Sequence, residues 1–291
     1  MSVDPKNLLW RTSRRESAFL DSLEELVAID SGTDSPDGVN RMVDRFGALL
    51  EADGWAVERH PTEPVKHRRW GDVLIGRRKG TGGGRVLLLG HLDTVFPDGT
   101  AGARPFRVEN GRGYGPGVTD MKAGLLAGLH AVRALADIGV DDFGEAVFLC
   151  NPDEERGSAA SRPLLVAEAE RADAVLVLEA ARENGDVVSS RKGVTTVRID
   201  VTGRAAHAGV EPERGCSAAL EAARKVEALH AVNGLGDGVT VNVGVVRAGS
   251  RSNVVAERAS LDVDVRATTE ARSSPQRPRS SGSAAPARSM A

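Results

Sequence analysis

The sequence predicts an α/β layer fold joined to a smaller α+β domain. Three observations point that way. Up to residue 192, continuous apolar runs such as "RVLLLG" and "EAVFLC" alternate with segments of helical periodicity, as expected when helices cover both faces of a mostly parallel sheet. From Gly193 to residue 266 the strands change character. "VTTVRIDV", "VTVNVGVV" and "ASLDVDVR" alternate apolar with polar residues, so one face is covered and the other wet. From residue 267 the chain contains no Val, Leu, Ile or aromatic residue. Too little apolar area remains there to offset chain entropy, which predicts a disordered tail over 267–291.

The elements follow in order. "ESAFLDSLEELVAI", residues 16–29, has apolar positions at helical spacing, and "DSGTDSPDG" breaks it with turn residues. "VNRMVDRFGALLEADG" is a second helix with Gly54 as its stop. "WAVERH" and "DVLIGRR" read as strands, and "KGTGGG" is a turn feeding the buried strand "RVLLLG". "TDMKAGLLAGLHAVRALADIG" is a long helix with Asp120 at its start. "EAVFLC" and "DAVLVLE" read as two more buried strands, with helical "SRPLLVAEAER" between them. In the second domain, "CSAALEAARKVEALHAV" is an amphipathic helix lying on one side of an open sheet.

Composition bounds the function. The 291 residues suffice for one large domain or two ordinary ones, and 41% hydrophobic content is globular. A net charge of −3 gives no electrostatic footprint for nucleic acid. No apolar run approaches the roughly 20 residues that span a bilayer. "MSVDPKNLLWRTSRRESAFL" lacks the apolar core and cleavage site of a signal peptide. The expectation is a cytoplasmic protein with neither nucleic acid nor membrane as partner. Cys150 and Cys216 fit neither metal-ligand spacing nor a disulfide framework. "GTGGG" precedes a strand and lacks the GK[ST] ending, while "GRGYGPG" would set the Asp120 carboxylate where a phosphate belongs.

The ends of the core strands carry the chemistry. "RVLLLG" is followed by His91 and Asp93, "EAVFLC" by Asp153, Glu154 and Glu155, and "DAVLVL" by Glu179. Ligands in open α/β sheets lie beyond the carboxyl ends of the strands, so these residues meet at one edge, with Asp120 as a further candidate. Three adjacent carboxylates repel one another unless a cation is near. Histidine and carboxylates without thiols suit zinc or a similar divalent ion. Taken singly, each residue has a plainer reading: His91 a loop residue, the acidic run a solvated turn, Asp120 an N-cap. In extended chain, Glu154 and Glu155 point to opposite sides, one toward metal and one toward a water.

Five motifs in series, "GHLDTVFP", "GRGYGPGVTDMKAG", "NPDEERGS", "VLVLEAARENG" and "GRAAHAGVEPERG", resemble the M20 family of zinc peptidases. The likeness leans to glutamate carboxypeptidases and N-acyl-amino-acid hydrolases. It implies a catalytic domain over 1–192 that binds two zinc ions, and an inserted α+β lid over 193–266 through which such chains dimerise. Carried over, His91 and Glu179 hold one zinc, Asp120 bridges, and Glu155 holds the second. Asp93 orients His91, and Glu154 is the general base that draws a proton from a metal-activated water. His207 and Asn242 touch the substrate, a small peptide or N-acyl amino acid. The family pattern continues beyond 266 with more lid, a return segment and a last histidine ligand, where this chain has its Ser/Arg/Pro/Ala stretch. The expectation is therefore a truncated or frameshifted chain with an incomplete lid and fewer than two zinc ions. The alternative to hydrolysis is an impaired remnant that binds metal or dimerises without turnover.

Overall fold

A computed structural model describes residues 4–233 and 238–268. The predicted tail lies, from residue 269 onward, outside the described residues. The chain divides into two compact units, Met1–Gly185 and Asp186–Ala291, a division ahead of the predicted 192/193 boundary.

The first unit opens with a helix that the periodicity did not suggest, α1 (Pro5–Ser13). Asp4 caps it by accepting from the Lys6 N–H at 3.0 Å, and Pro5 starts the first turn. Helix α2 (Glu16–Val27) follows, then α3 (Pro36–Ala52). α3 begins inside the predicted turn because Pro36 is pre-set for a helical first turn. It buries Val39, Met42, Val43, Phe46 and Leu50 on one stripe. The central sheet is built from β1 (Ala56–His60), β2 (Val73–Lys79), β3 (Gly83–His91), β6 (Phe143–Asn151) and β7 (Ala174–Val177), in the order β1-β2-β6-β3-β7. Strands β6, β3 and β7 run parallel, while β1 and β2 are antiparallel. Between β3 and β6 lie the short α4 (Thr100–Ala103), the hairpin β4 (Arg107–Glu109) and β5 (Arg112–Tyr114), and helix α5 (Ala123–Asp137). The hairpin went unpredicted although Asn110–Gly111, both at positive φ, is a strong turn signal.

Alternate strand residues explain the layers. Leu74, Leu88, Phe148 and Cys150 pack with α2, α3 and α5 on one face. Val73, Ile75, Leu87, Val147 and Leu149 pack on the other face with Leu164 and Leu165 of α6 (Arg162–Glu170). Covering both faces makes the runs in β2, β3 and β6 continuously apolar. Strand β7 departs from expectation. It is an edge strand whose residues are all exposed, not buried, because no described element covers its faces.

The second unit is a three-stranded antiparallel sheet, β8 (Gly193–Thr202), β10 (Arg258–Ala267) and β9 (Thr240–Ala248), in the order β8-β10-β9. Helix α7 (Ala218–His230) packs Ala218 and Ala222 against Val241, Leu261 and Val263. Ser217 caps it by accepting from the Leu220 N–H at 3.2 Å. Among the described residues, no helix is long and apolar enough to cross a membrane.

Candidate metal centre

Strand register brings the candidate residues together. β3 and β6 pair His91 with Asn151, and β3 and β7 pair Leu89 with Val177. The Leu178 N–H extends the second ladder onto the Leu89 carbonyl at 2.9 Å. His91 therefore ends β3, the acidic run leaves β6 beside it, and Glu179 leaves β7 level with it.

His91 is 1% exposed. Its Nε2 lies 2.9 Å from Asp120 Oδ1 and 3.5 Å from Glu179 Oε1. The ligand atoms of His91, Asp120 and Glu179 all lie within 4.8 Å of one another, the one such gathering among the described residues. Glu155 stands outside it. On the far side of the ring, Nδ1 is 2.9 Å from the Asp93 main-chain oxygen and 3.3 Å from its Oδ1.

Asp120 does not start a helix, contrary to the sequence reading. After Gly117, at φ +72°, the chain passes through Asp120 in an extended conformation, and α5 begins at Ala123. The turn is pressed onto the strand ends because α5 approaches them closely. A Cβ on Gly124 would stand 2.0 Å from the Leu178 oxygen, and one on Gly90 would stand 2.6 Å from a Leu125 methyl. Lys122 fixes the turn from behind. It is buried, and its Nζ donates to the carbonyls of Leu26 at 3.0 Å and Ile29 at 2.8 Å, at the end of α2. A cation suits a helix C-terminus. Burial pushes the Lys122 amine down to about 8, with Asp30 opposing. Nothing in "DMKAG" announced this role.

The acidic run divides its labour. Asp153 is fully buried, with no cation at its carboxylate. It accepts from the N–H groups of Ala160 at 2.7 Å and Ser161 at 3.4 Å, and from Ser161 Oγ at 2.5 Å. Backbone donors at the start of α6 satisfy it, which corrects the expectation that metal neutralises the whole run. Glu154 and Glu155 open a short 3₁₀ turn, Glu154–Arg156, in place of the expected extended chain. Their N–H groups donate to Asp93 Oδ1 at 3.1 Å and Oδ2 at 3.2 Å. Asp93 Oδ2 also accepts from Thr33 Oγ1 at 2.7 Å. One buried carboxylate thus holds His91, the backbone of both glutamates and Thr33. The sequence reading missed Thr33, which sits in a turn with no motif around it.

The electrostatics ask for a cation. Burial opposes charge on His91, but hydrogen bonds to Asp93 and Glu179 outweigh it and hold the imidazole up at about 11. Asp120 is nearer, yet the proton is held chiefly by the other two. Burial, with Asp120 next, lifts Glu155 to about 7. Burial also raises Glu154, with Glu179, Asp93 and Asp120 adding to it and His91 opposing. A nitrogen and carboxylate oxygens, without thiols, fit a hard or borderline divalent ion.

In the second unit, His207 is exposed, and its Nδ1 accepts from the Gly209 N–H at 3.2 Å. Asn242 is exposed on β9, opposite Asp264 of β10.

A family profile described as Peptidase family M20/M25/M40 matches residues 87–265. The chain belongs to this family. It is 36% identical over 262 residues to carboxypeptidase G2 of Pseudomonas sp. (strain RS-16), covering 89% of this chain and 62% of the relative. It is 29% identical over 254 residues to acetylornithine deacetylase of Myxococcus xanthus, covering 80% and 63%. The chain thus spans under two-thirds of the length of these curated relatives. A tripeptidase structure from Staphylococcus aureus superposes with a TM-score of 0.73 at 25% identity, covering 88% of this chain and 68% of that one. An M20 metallo-carboxypeptidase from Sulfolobus solfataricus, with a TM-score of 0.67 at 18% identity over 86% and 71% of the chains, shares the fold.

Proposed function

We propose that the chain carries the metal-dependent amide-hydrolysing centre of an M20 hydrolase. Its substrates would be C-terminal amino-acid amides, such as those of glutamate, or N-acyl amino acids. The observation that carries this reading is the convergence of His91, Asp120 and Glu179 from three separate elements onto one point, with Glu154 and Glu155 on the same sheet edge. Zinc suits the donor set. His91 and Glu179 would hold one ion, Asp120 would bridge, and Glu155 would hold a second. A bound divalent ion would polarise the scissile carbonyl and ease deprotonation of water.

The protein's own groups do the rest. Asp93 fixes the His91 ring and, through two N–H groups, the turn bearing Glu154. The Glu154 carboxyl is held above the usual carboxylate range by burial and by its acidic neighbours. That suits a base which takes a proton from the attacking water and returns it to the leaving amine. His207 and Asn242 would contact the substrate, and the second unit would pair two chains. Two free thiols, Cys150 and Cys216, agree with a reducing, cytoplasmic setting.

The test joins metal counting to an amidase assay. We expect Glu154→Gln to keep its zinc and lose roughly 10²–10⁴-fold in activity, the usual weight of a general base. A second reading, one ion bound without turnover, draws on the position of Glu155 outside the gathered ligands. One zinc per folded chain and no hydrolysis of any N-acyl amino acid would establish it.

A further inference from the structure

A cleft of about 370 Å³ runs between residues 32–35 and 94–98, and the reading above leaves it unused. Glu155 and Arg156 form part of its wall, so it adjoins the candidate centre. Glu154 is not among its lining residues. The walls are fixed to each other. The Thr33 N–H donates to the Thr94 oxygen at 3.0 Å, and the Thr94 N–H donates to the Ser31 oxygen at 2.9 Å. Asp30 accepts from the N–H groups of Gly99 at 2.7 Å and Ala101 at 2.8 Å. The loops approach so closely that a Cβ on Gly32 would stand 2.3 Å from the Phe96 oxygen. Through Thr33, the cleft is tied to Asp93 as well.

Charge gives the cleft a preference. Arg156 donates to Asp34 Oδ2 at 2.9 Å, and Arg68 pairs with Oδ1 of the same carboxylate. Two guanidinium groups thus share one carboxylate, which leaves a positive charge and several N–H donors uncommitted. The other wall carboxylate, Asp98, accepts from Ser35 Oγ at 2.9 Å. Phe96 supplies apolar surface, with the Arg104 guanidinium 5.2 Å from its ring centre. Planar guanidinium matches carboxylate geometry.

We propose that this cleft is a subsite for a substrate acyl group ending in a carboxylate, and that Arg156 selects it. The assignment to the acyl side rests on the hydrolase reading. Glu154, which serves the leaving amine there, lies away from the cleft lining, and Glu155 lies on it.

The test is calorimetry on the full chain with zinc supplied, using two probes of matched shape. Succinamate carries a terminal carboxylate and an amide; butyramide replaces the carboxylate with a methyl group. Succinamate should bind at least about tenfold tighter, the weight of one charged hydrogen bond. Arg156→Gln should close most of that gap. Asp34→Asn, at an exposed position, should widen it by releasing both guanidinium groups. Equal binding of the two probes by the unaltered chain overturns the subsite, as does an unchanged gap in Arg156→Gln. Tighter binding of the cationic 4-aminobutyramide also overturns it. A chain that hydrolyses N-acetyl amino acids yet shows no gap defeats the subsite alone. A chain that shows the gap and hydrolyses nothing defeats the hydrolase reading alone.

Discussion

Strands β3 and β7 lie side by side, and each delivers one residue of the candidate centre, His91 and Glu179. Their settings differ sharply. Leu87 and Leu88 of β3 are 1% and 5% exposed, whereas Leu176 and Val177 of β7 are 52% and 57% exposed. β3 is paired on both edges, by β6 and β7, and β7 on one. One centre is thus assembled from a stiff strand and a weakly supported one. The lesson is that convergence of ligands does not require equal support beneath them. Here the strong side also carries Asp93, which fixes the ring and the acidic turn, while the weak side contributes a single carboxylate.

Mutations can break or sharpen this contrast. The largest expected effect is on stability. Leu88→Ala should cost about 3 kcal/mol, typical of a cavity in a packed core. Leu176→Ala on the exposed strand should cost less than about 1 kcal/mol. Urea unfolding of both variants measures the difference, and equal costs would mean that β7 is covered in solution. Next comes Asp93→Asn, which leaves a carbonyl to serve where a carboxylate served His91, Thr33 and two N–H groups. Zinc affinity should fall by about 10–100-fold although Asp93 holds no metal itself, and competition with a chromogenic chelator reads it.

The smallest effect lies under the sheet. Glu168 of α6 is buried against Arg77 of β2, at 2.8 Å, and Arg85 of β3. Hydrogen bonding from Arg77 holds its carboxyl below the usual value of 4.5, against the opposing effect of burial. A carboxylate lowered in the native state stabilises the fold above its unfolded pKa, and that contribution is lost as pH falls through the native one. Glu168→Gln should therefore cost about 1.5 kcal/mol at pH 7 and progressively less below pH 4.5. Unfolding curves at several pH values test this, and a cost that ignores pH would assign Glu168 to packing alone.

Much of this was legible in the sequence, for identifiable reasons. Apolar runs of fixed length marked β2, β3 and β6, and the residues following β3, β6 and β7 identified the edge at which His91, Glu154, Glu155 and Glu179 emerge. Other features depend on distant partners that no local pattern encodes. "DAVLVLE" reads as a buried strand because its residues are apolar, and only sheet order reveals it as an edge. Asp153 looks like its acidic neighbours until the N-terminus of α6 folds back over it. Asp120 follows a glycine-rich stretch and precedes a helical pattern, so its extended backbone hides behind the periodicity of α5. Lys122 and Thr33 gain their roles wholly from contacts across the fold.

The close approach of Gly32 to the Phe96 carbonyl bears on how the cleft could be redesigned. Its width is set by two main chains laced together, so enlarging a side chain at position 32 would pry the loops apart before it reshaped anything. The adjustable positions are those that project from fixed walls, Asp34 and Arg156. Selectivity could then be retuned by exchanging charges at those two sites while the aperture stays constant, which makes the cleft a scaffold with two dials.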